Sequence, residues 1–433
     1  MKIGILKKIF ANDNYIEILK GAGLAFFLKL FGALVSFLLT LVIARRLGAS
    51  DSGYYFFIIS TLLFCSSLSS FGLFNAVLKE ASINFDDRGY LSSIMSKSLV
   101  VVIFGCCLVA SIFFIYEQSK DFIGLSHYII DRYSFFIVLA LLPFTLTFIF
   151  SSYFQANRKI FLSMLMLNIG YQSLMLAGIT IFSVSSLDEL LAVFLASLIF
   201  IVLLAFTVYF ITDGNKLSFS GGISFSSLMV LSLPMMVSHV VSQINVFSGQ
   251  FFLSIYTTPE DISLFSVSLR IATLMSFLVV AVNRISAPKF AILYKNNEID
   301  ELSKVVVFSN RILFLFCFPI LIFVVFFGRK LLGYFGSDFT DAYYVLIILI
   351  FGQFISSISG TVVFLLQMTG LQRELRNNVI IATILSVLLG WFLVPVYGVI
   401  GAAIMTFVSL SVTNLFSCYR AYKILGINPL KIF

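Results

Sequence analysis

Twelve apolar runs, each long enough to cross a bilayer, follow one another along the chain. Their approximate limits are 22–43, 54–77, 93–116, 134–153, 160–184 and 190–211, then 226–251, 262–287, 304–327, 342–368, 378–395 and 398–419. A bilayer core takes about 20 apolar residues per helix. The runs are too long for barrel strands and do not alternate apolar with polar, so helices are the expected spanning elements. A water-soluble globule is excluded. Only 11% of the 433 residues are charged, whereas a soluble domain carries about 25%. The connections between runs are short, which leaves no room for a folded domain outside the membrane.

Basic residues set the expected orientation. With the N-terminus on the cytoplasmic side, 17 of the 28 Lys and Arg fall in cytoplasmic connections and tails, and 6 in external ones. Both termini are therefore expected in the cytoplasm, which requires an even number of spans. Residues 1–21 carry Lys2, Lys7, Lys8, Asp13, Glu17 and Lys20. They read as a short amphipathic lead-in and not as a cleavable signal peptide. The expected domains are then a six-helix bundle over 22–212, a cytoplasmic linker over 213–225, a second six-helix bundle over 226–419 and a cytoplasmic tail over 420–433. The five cysteines all lie in apolar runs with neither CxxC nor Cys/His spacing, so buried thiols are expected, with no disulfide and no metal. No cofactor or nucleic-acid partner is implied.

The halves repeat. Asp51 aligns with Asp261, Gln155 with Gln367 and Ser96 with Ser309, at offsets of 210, 212 and 213. An even number of spans per repeat gives two parallel bundles related by an axis along the membrane normal, with a cavity between them as the usual place for a substrate.

Three stretches carry a family likeness: ARRLGASDSGYYFF (Ala44–Phe57), FGLFNAVLKEAS (Phe71–Ser82) and FQANRKI (Phe154–Ile160). The chain resembles the polysaccharide-transporter branch of the MOP (MATE-like) exporter superfamily, and within it the Wzx-type flippases of O-antigen synthesis. The resemblance implies an all-α membrane protein of the bacterial inner membrane with two lobes around a central cavity. It implies flipping of an undecaprenyl-diphosphate-linked oligosaccharide from the cytoplasmic to the periplasmic leaflet, among membrane lipids and other polysaccharide-assembly membrane proteins. A coupling ion, H+ or Na+, stays open, because no ATPase-type phosphate loop and no carboxylate well inside a span is present.

The remaining five basic residues, Lys29, Lys97, Arg270, Arg284 and Arg311, lie within the spans. A charge in lipid costs roughly 2.5–3.5 kcal/mol on insertion scales. A one-signed set of this kind is expected to line a wet cavity and meet an anion, bidentately through Arg and as a point charge through Lys. The alternative for each is a long stem snorkelling to the headgroups. His239, Gln243 and Gln250 share a face of span 7, and Lys29, Ala33, Ser36 and Thr40 a face of span 1. These polar groups, with Thr273 beside Arg270, are the expected sugar contacts, and His239 is a candidate for proton coupling. Pro143, Pro234 and Pro319 fall inside spans 4, 7 and 9, where a kink is expected. Three other activities have sequence requirements of their own. A polymerase or glycosyltransferase needs a large catalytic loop, a MATE-type drug exporter needs membrane carboxylates, and a lipid II flippase has further spans.

Overall fold

A computed structural model of the chain describes residues 13–123, 127–212, 217–429 and 431. It is all-helical among the described residues, as the apolar runs require. The helices are α1 (Asp13–Ser69), α2 (Leu73–Ile83), α3 (Arg88–Ile123), α4 (Tyr128–Ala156), α5 (Ile160–Met164), α6 (Gly170–Ile181) and α7 (Leu187–Thr207). They continue with α8 (Phe225–Tyr256), α9 (Pro259–Thr273), α10 (Ser276–Lys295), α11 (Ile299–Gly333), α12 (Tyr343–Ile358), α13 (Thr361–Met368) and α14 (Gln372–Leu425). Large apolar side chains lie open on their outer faces, Phe135 at 80% and Phe326 at 77% exposure among them. Lipid and not water is the solvent that suits such a surface.

Among the described residues, ten helical segments are long and apolar enough to cross a membrane, which makes this a multi-pass membrane protein. Two are far longer than one crossing needs: Phe26–Ser69 with 44 residues and Gln372–Leu425 with 54. Each passes through a glycine with non-helical backbone, Gly48 (φ 73°, ψ −175°) and Gly398 (φ 52°, ψ −127°), a region that favours glycine. The expected spans 1 and 2 are thus one chain of helix turned at Gly48, and spans 11 and 12 one turned at Gly398.

Other breaks fall where the hydropathy shows none. Span 2 ends at Ser69 and resumes as α2, span 8 breaks between Thr273 and Ser276, span 10 breaks between Ile358 and Thr361, and a π-turn over Leu165–Ile169 interrupts span 5. Apolar residues continue on both sides of every break, so the pattern carries no sign of it. The helices run on through Pro143, Pro234 and Pro319.

The chain packs as two compact units. The first takes in the described residues through Thr40, then Cys65–Ile123 and Ser134–Val237. Its core is rich in aromatic side chains, including Phe144, Phe150, Phe154 and Phe194, with Phe150 and Phe206 packed edge to face at 4.8 Å. The second takes in Leu41–Phe64, the described part of Gly124–Tyr133, and Ser238–Phe433. Its core includes Phe265, Leu313, Cys317, Leu346 and Leu349, all nearly inaccessible. The far half of the first helical hairpin therefore packs with the second half of the chain.

The terminal segments differ in detail from the reading above. Residues 1–12 of the lead-in, 213–216 of the linker and 430, 432 and 433 of the tail lie outside the described residues. From Asp13 onward the lead-in is helical and continuous with α1. The tail is helical to Leu425 and then turns inward, burying Ile427 against Phe290, Leu302 and Val306. Four cysteines are buried as expected, but Cys107 is exposed on the apolar surface of α3.

Candidate functional site

The five membrane cations separate into different settings. Lys29 is exposed on α1. At about 100° per residue, the exposed apolar stripe of Phe27, Phe31, Leu34 and Leu38 points about 170° away from it. Lys29 therefore faces away from the surface suited to lipid. Arg270 is exposed on α9, about 16 Å along from Pro259. None of the large apolar residues of α9 is exposed, so this helix has no lipid-facing stripe. The last turn of α9 carries Thr273, whose Oγ1 donates to the Arg270 carbonyl at 3.0 Å. The helix stops one residue later, before α10.

Arg311 and Arg284 are exposed too, in more apolar company. Arg311 shares its face of α11 with Phe308, Leu315, Phe318 and Ile322, all exposed. That setting fits a snorkelling side chain better than a wet wall. Arg284 lies on α10 beside Ile285, which is 68% exposed.

Lys97 is not an open cation. It is 5% exposed, and its ammonium donates to Ser93 Oγ (2.9 Å), Gly221 O (3.0 Å) and Ile223 O (2.7 Å). Ser93 Oγ also donates to Gly221 O at 2.8 Å, and Ser218 N donates to Ser96 Oγ at 3.0 Å. All three ammonium protons are used. Lys97 fastens the described part of the linker, 217–223, onto α3.

The polar set is also largely engaged. Ser36 and Thr40 are buried, and Thr40 Oγ1 donates to Ser36 O at 2.9 Å. Gln250 accepts from Ser60 Oγ and donates to Ser266 Oγ at 2.6 Å, so it ties α1, α8 and α9 together. His239 and Gln243 are half-buried on α8. Among the described residues no cluster of His, Cys, Asp and Glu could hold a metal ion.

One polar cluster had no counterpart in the sequence reading. It lies in the second unit, next to the turn at Gly48, on what is called here the far face. There Ser52 and Ser263 pair at 2.6 Å, 211 residues apart, within the 210–213 range of the offsets between the halves. Gly53 lies so close to α9 that an added Cβ would sit 1.7 Å from Pro259 O. His127, just before α4, stacks against Phe57 (5.4 Å, 14°) and Tyr128 (5.5 Å, 5°), and its Nε2 meets Ser254 Oγ at 3.0 Å. Tyr128 donates to Thr257 O at 3.3 Å, and Tyr54 packs edge-on against Tyr128 and Tyr133. His127 is one of only two histidines, the single sequence signal that could have drawn notice to it.

Residues 18–293, well over half of the chain, match the family described as polysaccharide biosynthesis protein. The chain belongs to that family. Two relatives agree with it. A Haloferax volcanii protein with the provisional name low-salt glycan biosynthesis flippase Agl15 is 24% identical over 391 residues, covering 90% of this chain and 80% of its own. A Shigella flexneri protein provisionally named O-antigen transporter is 22% identical over 376 residues, covering 84% and 87%. The fold is that of the MOP superfamily. An inward-facing multidrug-resistance MATE transporter superposes with a TM-score of 0.75 at 13% identity, covering 91% of this chain and 94% of that one. The lipid II flippase MurJ, in an inward closed conformation, superposes with a TM-score of 0.73 at 15% identity, covering 92% and 87%. Family and relatives together place the chain among membrane transporters.

Proposed function

We propose that the protein flips an undecaprenyl-diphosphate-linked oligosaccharide, an O-antigen or similar repeat unit, from the cytoplasmic to the periplasmic leaflet of a bacterial inner membrane by alternating access. The chain crosses twelve times, the turns at Gly48 and Gly398 each separating two crossings, and both termini are cytoplasmic. The provisional names of the two relatives support the substrate class.

The observation that carries the reading is the setting of Lys29 and Arg270. Each is an exposed cation within a span, one turned away from an apolar stripe and the other on a helix that has none. A cation so placed suits a site that an anion visits, given the cost of charge in a membrane. A diphosphate supplies several acceptor oxygens. Arg270 suits bidentate capture of it, and Lys29 acts as a point charge. The lipid tail stays in the bilayer while the charged head crosses.

The test replaces the chromosomal gene in its own host by variants. Arg270→Glu and Lys29→Glu are expected to abolish surface polysaccharide and to leave the lipid-linked unit on the cytoplasmic face. Arg270→Lys should retain part of the activity, and Arg311→Gln most of it. Full polysaccharide in both Glu variants, at normal protein levels, refutes the reading. Single units gathering on the periplasmic side point to a polymerase instead.

A further inference from the structure

We infer that His127 is a proton-operated latch on the far face, holding the start of α4 to the end of α8 when neutral and releasing it when protonated. The inference rests on the alternating-access reading, because a joint between these elements must open for a substrate to leave on that face. In the proposed orientation the far face is periplasmic.

The donor and acceptor roles follow from the geometry. Ser254 has one hydroxyl proton, and it is given to Phe251 O at 2.7 Å. Ser254 Oγ must therefore accept from His127, which places a proton on Nε2. Nδ1 is left with its lone pair, and it accepts from Ile130 N at 3.4 Å. The imidazole thus caps the first turn of α4 while it bonds to α8. The cap needs the neutral ring in this one tautomer, whereas donation to Ser254 is open to the charged ring as well, so the cap is what protonation destroys.

Protonation at Nδ1 defeats the arrangement. It points a new N–H at the Ile130 N–H and puts a cation at a helix N-terminus, where the backbone already carries partial positive charge. Burial opposes the charged ring as well and holds the His127 pKa below its usual value, against the pull of the Asp131 carboxylate one turn along α4. The faces of Phe57 and Tyr128 favour a cation modestly. Other ionisable groups around the stack are Tyr54 on α1 and Asp261 on α9, both within electrostatic reach of Tyr128. Ser254, the contact from α8, is uncharged.

The sign follows. The closed joint holds a histidine harder to protonate than the open one, where the ring meets water. Closure is therefore fully favoured above the ordinary histidine value of about 6.5 and loses ground as pH falls below it. An acidic far compartment opens the latch, and a neutral one closes it. A proton gradient across the membrane would then bias the exit step by way of a group outside the spans.

The experiment uses the full-length protein in lipid nanodiscs, with Cys107→Ser and spin labels at Arg132→Cys and Tyr256→Cys, exposed positions on the two elements the latch joins. The distance distribution is recorded at about pH 8 and about pH 5, either side of the histidine value. The ratio of short to long distances is expected to fall at the lower pH. His127→Gln, which still donates to Ser254 but stays neutral, should keep the short distance at both. His239→Gln should leave the response intact. A pH response that survives His127→Gln, or one abolished only by His239→Gln, overturns the proposal. If His127→Gln fails to fold, Ser254→Ala serves. It should lower the short-distance fraction at about pH 8 and flatten the response, and an undiminished response again overturns the latch. Loss of the pH response leaves the glycan reading standing, and retained polysaccharide in Arg270→Glu leaves the latch standing, so the two fail separately.

Discussion

Gly53→Ala tests the far-face joint at its closest approach. The added Cβ would lie 1.7 Å from Pro259 O, 2.5 Å from its carbonyl carbon and 3.1 Å from its Cα. An ordinary contact of about 3.4 Å leaves about 1.7 Å to be found by moving backbone. No flexible side chain can yield, because every clashing atom is main chain, and proline at the start of α9 fixes its own φ. Overpacking of this kind costs about 1–3 kcal/mol, and the backbone target argues for the upper end. About 3 kcal/mol is a shift of roughly 150-fold against the closed joint.

Ser263 reports on it, being fully buried opposite Ser52 when the joint is closed. With Ser263→Cys in a Cys107→Ser background, labelling by a membrane-impermeant maleimide measures the open fraction. Gly53→Ala should raise the labelling rate by about two orders of magnitude. Gly333→Ala, whose Cβ would meet only Thr340 Cγ2 at 3.8 Å, should leave it unchanged. An unchanged rate in Gly53→Ala, with normal helix content, would show that the close approach does not hold the joint.

Two further substitutions probe the fastenings. Lys97→Met keeps the buried stem but removes the ammonium from Ser93, Gly221 and Ile223, at a cost of about 1.5–3 kcal/mol. The melting temperature should fall and amide exchange over 217–223 should quicken, whereas parent-like values in both would refute the role. Asn310→Ala strands Pro429 O, which now accepts from Asn310 Nδ2 at 2.8 Å, and the Thr361 hydroxyl. A loss of about 1–3 kcal/mol and faster exchange over 426–429 are expected, and an unaltered tail would count against it.

The parts legible in the sequence are those that depend on sums along the chain. Twenty apolar residues in a row mean a membrane helix whatever packs against them, so nearly every span was readable. The turn at Gly72, the stop after Thr273 and the stop at Ile358 were not, because lipid and protein interior are equally apolar and neither demands a polar residue at a break. The sequence places the five cations within apolar runs but carries no sign of their separate settings. Lys29 and Lys97 look alike in sequence, and only the neighbours show that Lys97 is spent on backbone carbonyls of the linker. His127 was overlooked because its partners, Phe57 and Ser254, come from 70 residues before and 127 residues after it. No local spacing connects them.

The way each contact is made matches what it has to do. The linker and the tail are held by Lys97 and Asn310, each buried and each satisfying backbone carbonyls that would otherwise stand unpaired. The far-face joint uses weaker groups. Ser52 pairs with Ser263, Ser60 with Gln250, His127 with Ser254, and Tyr128 with Thr257. Hydrogen bonds between membrane helices average about 0.6 kcal/mol, so four come to about 2–3 kcal/mol. On those bonds alone the open form would be populated at roughly one part in a hundred. A joint of that strength stays closed at rest, and protonation of one histidine weakens it in the direction of opening. Salt bridges across the same contact would hold it too firmly, and an apolar seam would give the far compartment no chemical handle on it.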